Sequence, residues 1–246
     1  MNKTDRLIVL FAHHDEFLPA EFHSFPTPQN KPLAQLSERQ LRKWKSQRMA
    51  YFLLSQLFEK HQLEKTCLNN ILRTESGRPY IIDERIDFNI SHSGEWVAII
   101  FSFSENKKVV GIDIEHPQKI RRYLDLLNYY AHSQEIAEIN DFSILPQLSQ
   151  LAQRFYLSWC LREAVLKSQG VGIVKLSEVR HSLREQIITS AHCPTGKLCF
   201  HADLPFYLAY FFEQEQSMLS LPPLFQWKDQ QFTPINHSTP LIYQVN

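Results

Sequence analysis

Two stretches of this chain carry apolar side chains at helical spacing, and each leads into short runs rich in Ile, Val and Phe. Helix and strand must therefore share one molecule, in the order long helix then strands, twice over. The first helix opens at Ser37-Glu38-Arg39-Gln40 and runs to about Lys60, with Leu41, Trp44, Met49, Phe52, Leu53 and Leu57 along its apolar stripe. Gly77-Arg78-Pro79 reads as a turn, and strands follow at Phe88 to Ile90, Trp96 to Phe103 and Val109 to Ile114. A short helix is expected from Gln134 to Asn140. A second long one, Leu148 to Ser168, is ended by Gly170 and Gly172, and strands should come near Ser177 to Leu183, Lys197 to Ala202 and Phe206 to Phe212. No residue-level repeat accompanies the doubled pattern.

The ends are less regular. The apolar run within residues 1–15 is too short for a signal peptide and reads as a first strand ended by His13-His14-Asp15. Those three residues make a poor zinc site, because neighbours on a strand point to opposite faces and no fourth ligand is evident. From Leu221, the prolines at 222, 223, 234 and 240 predict irregular chain draped over the body.

With 43% hydrophobic residues over 246 positions, the chain can bury an ordinary core without staples. Lys plus Arg and Asp plus Glu both number 26, so no global basic field attracts nucleic acid or anionic membrane, and any phosphate recognition must be local. Cys67, Cys160, Cys193 and Cys199 lack paired spacing and read as free thiols. No apolar stretch approaches the roughly 18 to 20 residues that span a bilayer, so a cytoplasmic location is expected.

Chemistry concentrates in a few places. On a strand through Gly111-Ile112-Asp113-Ile114-Glu115, Asp113 and Glu115 share one face and Ile112 and Ile114 the other. The paired carboxylates fit either an exposed polar edge or a hard divalent cation. Phe155, Trp159, Glu163 and Lys167 recur every four residues along the second long helix, which puts an aromatic pair, a carboxylate and an ammonium on one stripe. In Phe88-Asn89-Ile90-Ser91-His92-Ser93-Gly94, a strand end meets a donor-rich turn where Ser91, His92 and Ser93 could surround an anionic oxygen. Arg48 and Arg78 are candidate phosphate clamps through their forked guanidinium groups.

Taken in order, Gly77-Arg78-Pro79, Phe88-Asn89-Ile90-Ser91-His92-Ser93, Gly111-Ile112-Asp113-Ile114-Glu115 and Trp159-Cys160-Leu161-Arg162-Glu163-Ala164-Val165-Leu166-Lys167 resemble the 4′-phosphopantetheinyl transferases of the surfactin-synthetase-activating type. The resemblance is strong over about 77 to 173 and loose before it. It implies an α+β, pseudo-twofold monomer of two similar halves, 1–107 and 108–246, each a long helix packed on a small, mostly antiparallel sheet, with coenzyme A in the cleft between them. It further implies Mg²⁺ held by Asp113, Glu115 and Glu163, with Glu163 also deprotonating the incoming serine of an apo carrier protein. Lys167, Ser91, His92 and Arg78 match positions at or beside the coenzyme A phosphates, and Arg48 a position for the 3′-phosphate. Arg162 stands where the family usually has lysine.

Two other classes share parts of this inventory. A metal-dependent nuclease uses an Asp, Glu and Lys set, but there a Glu-x-Lys pair sits on one strand, whereas Glu115 is followed by His116-Pro117 and Lys167 lies on a helix. A non-catalytic module that binds carrier protein or nucleotide would have no need to keep all three candidate ligands.

Overall fold

The structure, a computed structural model, describes residues 6–27, 30–214 and 221–246. Strand β1 (Arg6–His13) is buried along most of its length. Helix α1 (Glu38–Lys60) begins at Ser37, whose hydroxyl accepts the Gln40 amide while the Gln40 side chain accepts the Ser37 amide. This reciprocal cap satisfies two donors that an open helix end leaves unpaired. Strands β2 (Leu72–Arg73) and β3 (Pro79–Tyr80) form a small ribbon around the Gly77 turn. Strands β4 (Ile86–Ser93) and β5 (Trp96–Phe103) make a hairpin turned by Gly94 and Glu95. Gly94 sits at φ 60°, the conformation a two-residue hairpin asks of its first loop residue.

Beyond β6 (Val110–Glu115) come three helices, α2 (Tyr123–Tyr130), α3 (Ser133–Asn140) and α4 (Leu151–Ser168). Gly170, at φ 67°, closes α4: its amide bonds the Lys167 carbonyl and the Val171 amide bonds the Leu166 carbonyl. Seven strands follow among the described residues: β7 (Arg180–Ser182), β8 (Ile187–Thr189), β9 (Gly196–His201), β10 (Tyr207–Glu213), β11 (Leu224–Lys228), β12 (Gln231–Pro234) and β13 (Leu241–Val245).

These strands make a five-stranded sheet in the order β12-β11-β1-β5-β4 and a six-stranded sheet in the order β6-β10-β9-β13-β8-β7. Pairing is antiparallel except at β1 with β11 and β13 with β8. The apolar side chains sort into three cores. Met49, Phe52, Leu53, Leu57 and Phe58 of α1 pack on Ile86, Phe88, Val97, Ile99 and Phe101 of the first sheet. Val9, Phe11, Ala98 and Ile100 meet Val110, Ile112, Ile114 and Tyr210 between the sheets. Phe155, Tyr156, Leu161, Ala164 and Val165 of α4 pack on Leu198, Phe200, Ala209 and Phe211 of the second sheet. The fold is α+β, with one long helix outside each of two sheets that meet face to face.

One expectation needs correction. The stretch after Leu221 is not irregular: β11 and β12 extend the first sheet, and β13 lies inside the second between β9 and β8. Its prolines punctuate strands without breaking them. Pro223 offers its carbonyl to Val9 N, and Pro234 ends the edge strand β12, where no ladder donor is required. The strand expected near 177–183 is the three-residue β7, preceded by a 3-10 turn (Ile173–Glu178). Residues 1–5 of the N-terminal run lie outside the described residues. All four cysteines are free. No helix among the described residues is long and apolar enough to cross a membrane.

Candidate active site

Where the two sheets meet, β4 and β6 are both edge strands, and an edge strand leaves alternate amides unpaired. Here the amides of β6 are capped by side chains of β4. Val110 N donates to Asp87 Oδ2 (3.0 Å), Ile112 N to Asn89 Oδ1 (3.0 Å), Ile114 N to Ser91 Oγ (3.2 Å) and His116 N to Ser93 Oγ (3.0 Å). The period of two puts Asp87, Asn89, Ser91 and Ser93 on one face of β4, while Ile86, Phe88 and Ile90 pack toward α1. A side-chain ladder thus takes the place of a backbone ladder between the sheets.

The opposite face of β6 is set by Gly111. A methyl group there would lie 2.0 Å from the Ala164 carbonyl oxygen and 2.9 Å from Ser168 Cβ, so only glycine lets α4 lie this close to the strand. That approach brings Glu163 and Lys167 over Asp113 and Glu115. Lys167 Nζ donates to Asp113 Oδ1 at 2.5 Å and to Ser91 Oγ at 3.2 Å, and stands 3.5 Å from Glu163 Oε2. Ser91 Oγ donates to Asp113 Oδ1 (3.1 Å) and Ser93 Oγ to Glu115 Oε2 (3.3 Å). Asp113 and Glu163 are buried, while Glu115 and Lys167 reach the surface in part.

The electrostatics are lopsided: three carboxylates face one ammonium. Burial, then Asp113, pushes the Glu115 carboxyl up. Burial, Asp113 and Glu115 push Glu163 up to about 7, against the pull of Lys167. For Lys167, burial alone would favour the neutral amine, but Asp113 and Glu163 outweigh it and hold the group charged. Asp113 Oδ2 is buried without a hydrogen-bond partner. Hard oxygen donors with excess negative charge and an unsatisfied buried oxygen suit a divalent cation of the Mg²⁺ type. Among the described residues, no three His, Cys, Asp or Glu side chains are already drawn into a cation cage. Instead, Lys167 lies between Asp113 and Glu163.

The other expected residues are spread around this centre. His92 emerges on the outer side of β4. The protein around its ring, then Lys167 and Lys43, hold its pKa below the ordinary value. Arg48 on α1 lies over the Trp44 ring at 4.7 Å, and its Nε is buried without a partner. Arg78 is turned inward: Nε donates to the Lys167 carbonyl (2.9 Å), and Nη2 to Asp87 Oδ2 (2.8 Å) and the Val110 carbonyl (3.2 Å). These bonds tie the C-terminal end of α4 to β4 and β6, a favourable place for a cation. Arg162 is wholly buried and bonds both carboxylate oxygens of Glu135 on α3, so it braces α4 from behind. Asp87, Asn89 and Ser93 were given no such part by motif reading. Their signal was the run of short polar acceptors at every second position of β4.

A buried acid, an ammonium and two further carboxylates thus converge where the two sheets meet. The profile of the 4′-phosphopantetheinyl transferase superfamily matches residues 109–217. A Haemophilus influenzae protein with the provisional name 4′-phosphopantetheinyl transferase is 43% identical over 233 residues, 94% of this chain and 92% of its own. The Bacillus subtilis transferase Sfp is 28% identical over 120 residues, 48% of this chain and 49% of its own. The gsp transferase of Aneurinibacillus migulanus is 35% identical over 106 residues, 42% of this chain and 40% of its own. The chain belongs to the 4′-phosphopantetheinyl transferase superfamily, and the nuclease and non-catalytic readings fall away.

Proposed function

We propose that this enzyme moves the 4′-phosphopantetheine arm of coenzyme A onto a serine hydroxyl of an apo carrier protein, with Mg²⁺ as its metal, and that it works as a cytoplasmic monomer. The observation that carries the reading is the meeting of Asp113, Glu115 and Glu163 with Lys167 at the seam of the sheets. Asp113, Glu115 and Glu163 hold Mg²⁺, which when bound offsets the charge of the pyrophosphate and of the leaving group.

The chain's own groups do the rest. Lys167, held charged by its acidic neighbours, turns its ammonium to the phosphate oxygens as substrate enters. His92 donates to the same phosphates, with Ser91 beside it. Arg48 takes the 3′-phosphate through the fork of its guanidinium. Arg78, with Nε and Nη2 committed inward, serves these phosphates by fixing the backbone of Lys167. Glu163, beside Lys167 and Asp113, accepts the serine proton as general base. The serine oxygen forms its bond to phosphorus as the pyrophosphate P–O bond breaks, and adenosine 3′,5′-bisphosphate departs.

Asp113→Ala tests the metal assignment. It removes one hard ligand and relieves repulsion with Glu115, so transfer should be lost at limiting Mg²⁺ while the fold survives. A variant that transfers normally at limiting Mg²⁺ would contradict it.

A further inference from the structure

Among the β4 side chains that cap β6, two do more than cap. Ser91 Oγ accepts the Ile114 amide and donates to the carboxylate of the residue before it, Asp113; Ser93 Oγ accepts the His116 amide and donates to the carboxylate of the residue before that one, Glu115. The same two-bond unit is repeated one step along the strand. A serine hydroxyl has one proton. When its oxygen is fixed by an amide, that proton can be aimed at one acceptor. We infer that Ser93 is a positioning residue, which orients the Glu115 carboxylate from across the seam for its work in the site.

Several observations separate this from a capping role alone. Asp87 and Asn89 cap their amides equally well, at 3.0 Å each, and their other bonds run to Arg78 and to the Lys167 carbonyl, away from the carboxylates. Serine occurs only at the two rungs that border Asp113 and Glu115. Asp113 has a second anchor in Lys167 Nζ, whereas among the described residues the Glu115 carboxylate is hydrogen-bonded by Ser93 alone. Glu115 is also the last residue of β6, paired with Tyr207 of β10 at the end of the ladder. The end of the rung is itself fixed, because the His116 ring packs on Gly94, leaving no room for a side chain there: a Cβ would meet His116 Nδ1 at 2.5 Å. Ser93 therefore spends its proton on a carboxylate and has none left for the anionic oxygen that the sequence motif suggested.

The inference rests on Glu115 being a Mg²⁺ ligand, and the test keeps the two apart. Full-length wild-type, Ser93→Ala and Ser93→Thr proteins, each saturated with coenzyme A, are titrated calorimetrically with MgCl₂, at a temperature where thermal melts show all three folded. Threonine keeps the hydroxyl; alanine loses it. Outer-shell partners of a metal ligand are worth about 10- to 100-fold in affinity, so Ser93→Ala should weaken Mg²⁺ binding by at least about tenfold. Its affinity for coenzyme A without metal should be unchanged, and Ser93→Thr should recover the wild-type Mg²⁺ affinity. Equal Mg²⁺ affinity in Ser93→Ala and wild type would overturn the positioning role, as would a Ser93→Thr protein as weak as Ser93→Ala. Wild-type protein that takes up no Mg²⁺ would overturn the metal reading of Glu115, and this inference with it.

Discussion

Glu163 is where burial and two neighbouring carboxylates raise a proton affinity to about 7, with Lys167 relieving only part of the strain. In the unfolded chain the same group titrates near its ordinary 4.5. Between those two values the folded protein keeps a proton that the unfolded chain has released, so this group makes stability fall as pH rises through the window. Glu163→Gln removes that dependence. In EDTA, the variant should match the wild type near pH 4.5 and gain on it steadily toward pH 7. Each pKa unit corresponds to about 1.4 kcal/mol, so the full difference is of the order of 1–3 kcal/mol. Urea unfolding at a series of pH values checks this, and a difference independent of pH would contradict the raised affinity.

At the scale of elements, the site depends on how closely α4 lies on β6. Gly111→Ala puts a methyl 2.0 Å from the Ala164 backbone, which cannot swing away as a side chain could. The helix must shift, carrying Glu163 and Lys167 off Asp113. Overpacking of this kind costs about 1–3 kcal/mol or more. Urea denaturation should register that loss together with a fall in transfer activity, and an unchanged midpoint with full activity would show the contact to be soft. Much of this level was legible in the sequence because periodicity reports burial: Phe52, Leu53 and Leu57 mark α1, and the alternation through Ile112 and Ile114 marks β6. The missed elements lacked such signals. α2 spans eight residues behind Arg122, which makes no side-chain cap, and β8 has only three residues. The tail was misread because prolines at strand ends look the same in sequence as prolines that forbid strands. The carboxylates and lysine could be named from their motifs, but the inward turn of Arg78 could not, because its partners Asp87, Val110 and Lys167 meet only once both sheets are in place.

For the whole molecule, the acceptor must reach a seam flanked by the end of α4. Beside that end, Val174 is 85% exposed and Ile173 57%, with Lys175 and Arg180 also at the surface. An acidic carrier protein would be steered there at low salt. Charge reversal at Lys175 and Arg180 together should weaken apparent acceptor affinity about tenfold at low salt and flatten its salt dependence. If both stayed as in the wild type, docking would lie elsewhere.

The carboxylate and lysine centre at the seam is proposed to perform the transfer, and the mass of the acceptor reports on it directly. Wild-type protein and Glu163→Gln are each incubated with coenzyme A, Mg²⁺ and an apo carrier protein, and the carrier is weighed over time by mass spectrometry. The wild type should add one phosphopantetheine arm to the carrier's serine. Glu163→Gln should still bind coenzyme A but turn over roughly 10²- to 10⁴-fold more slowly, the loss expected when a general base is removed, with no recovery at saturating Mg²⁺. An unmodified carrier with the wild type would refute the transfer, and a Glu163→Gln protein restored to near wild-type turnover by extra Mg²⁺ would leave Glu163 a ligand and not the base.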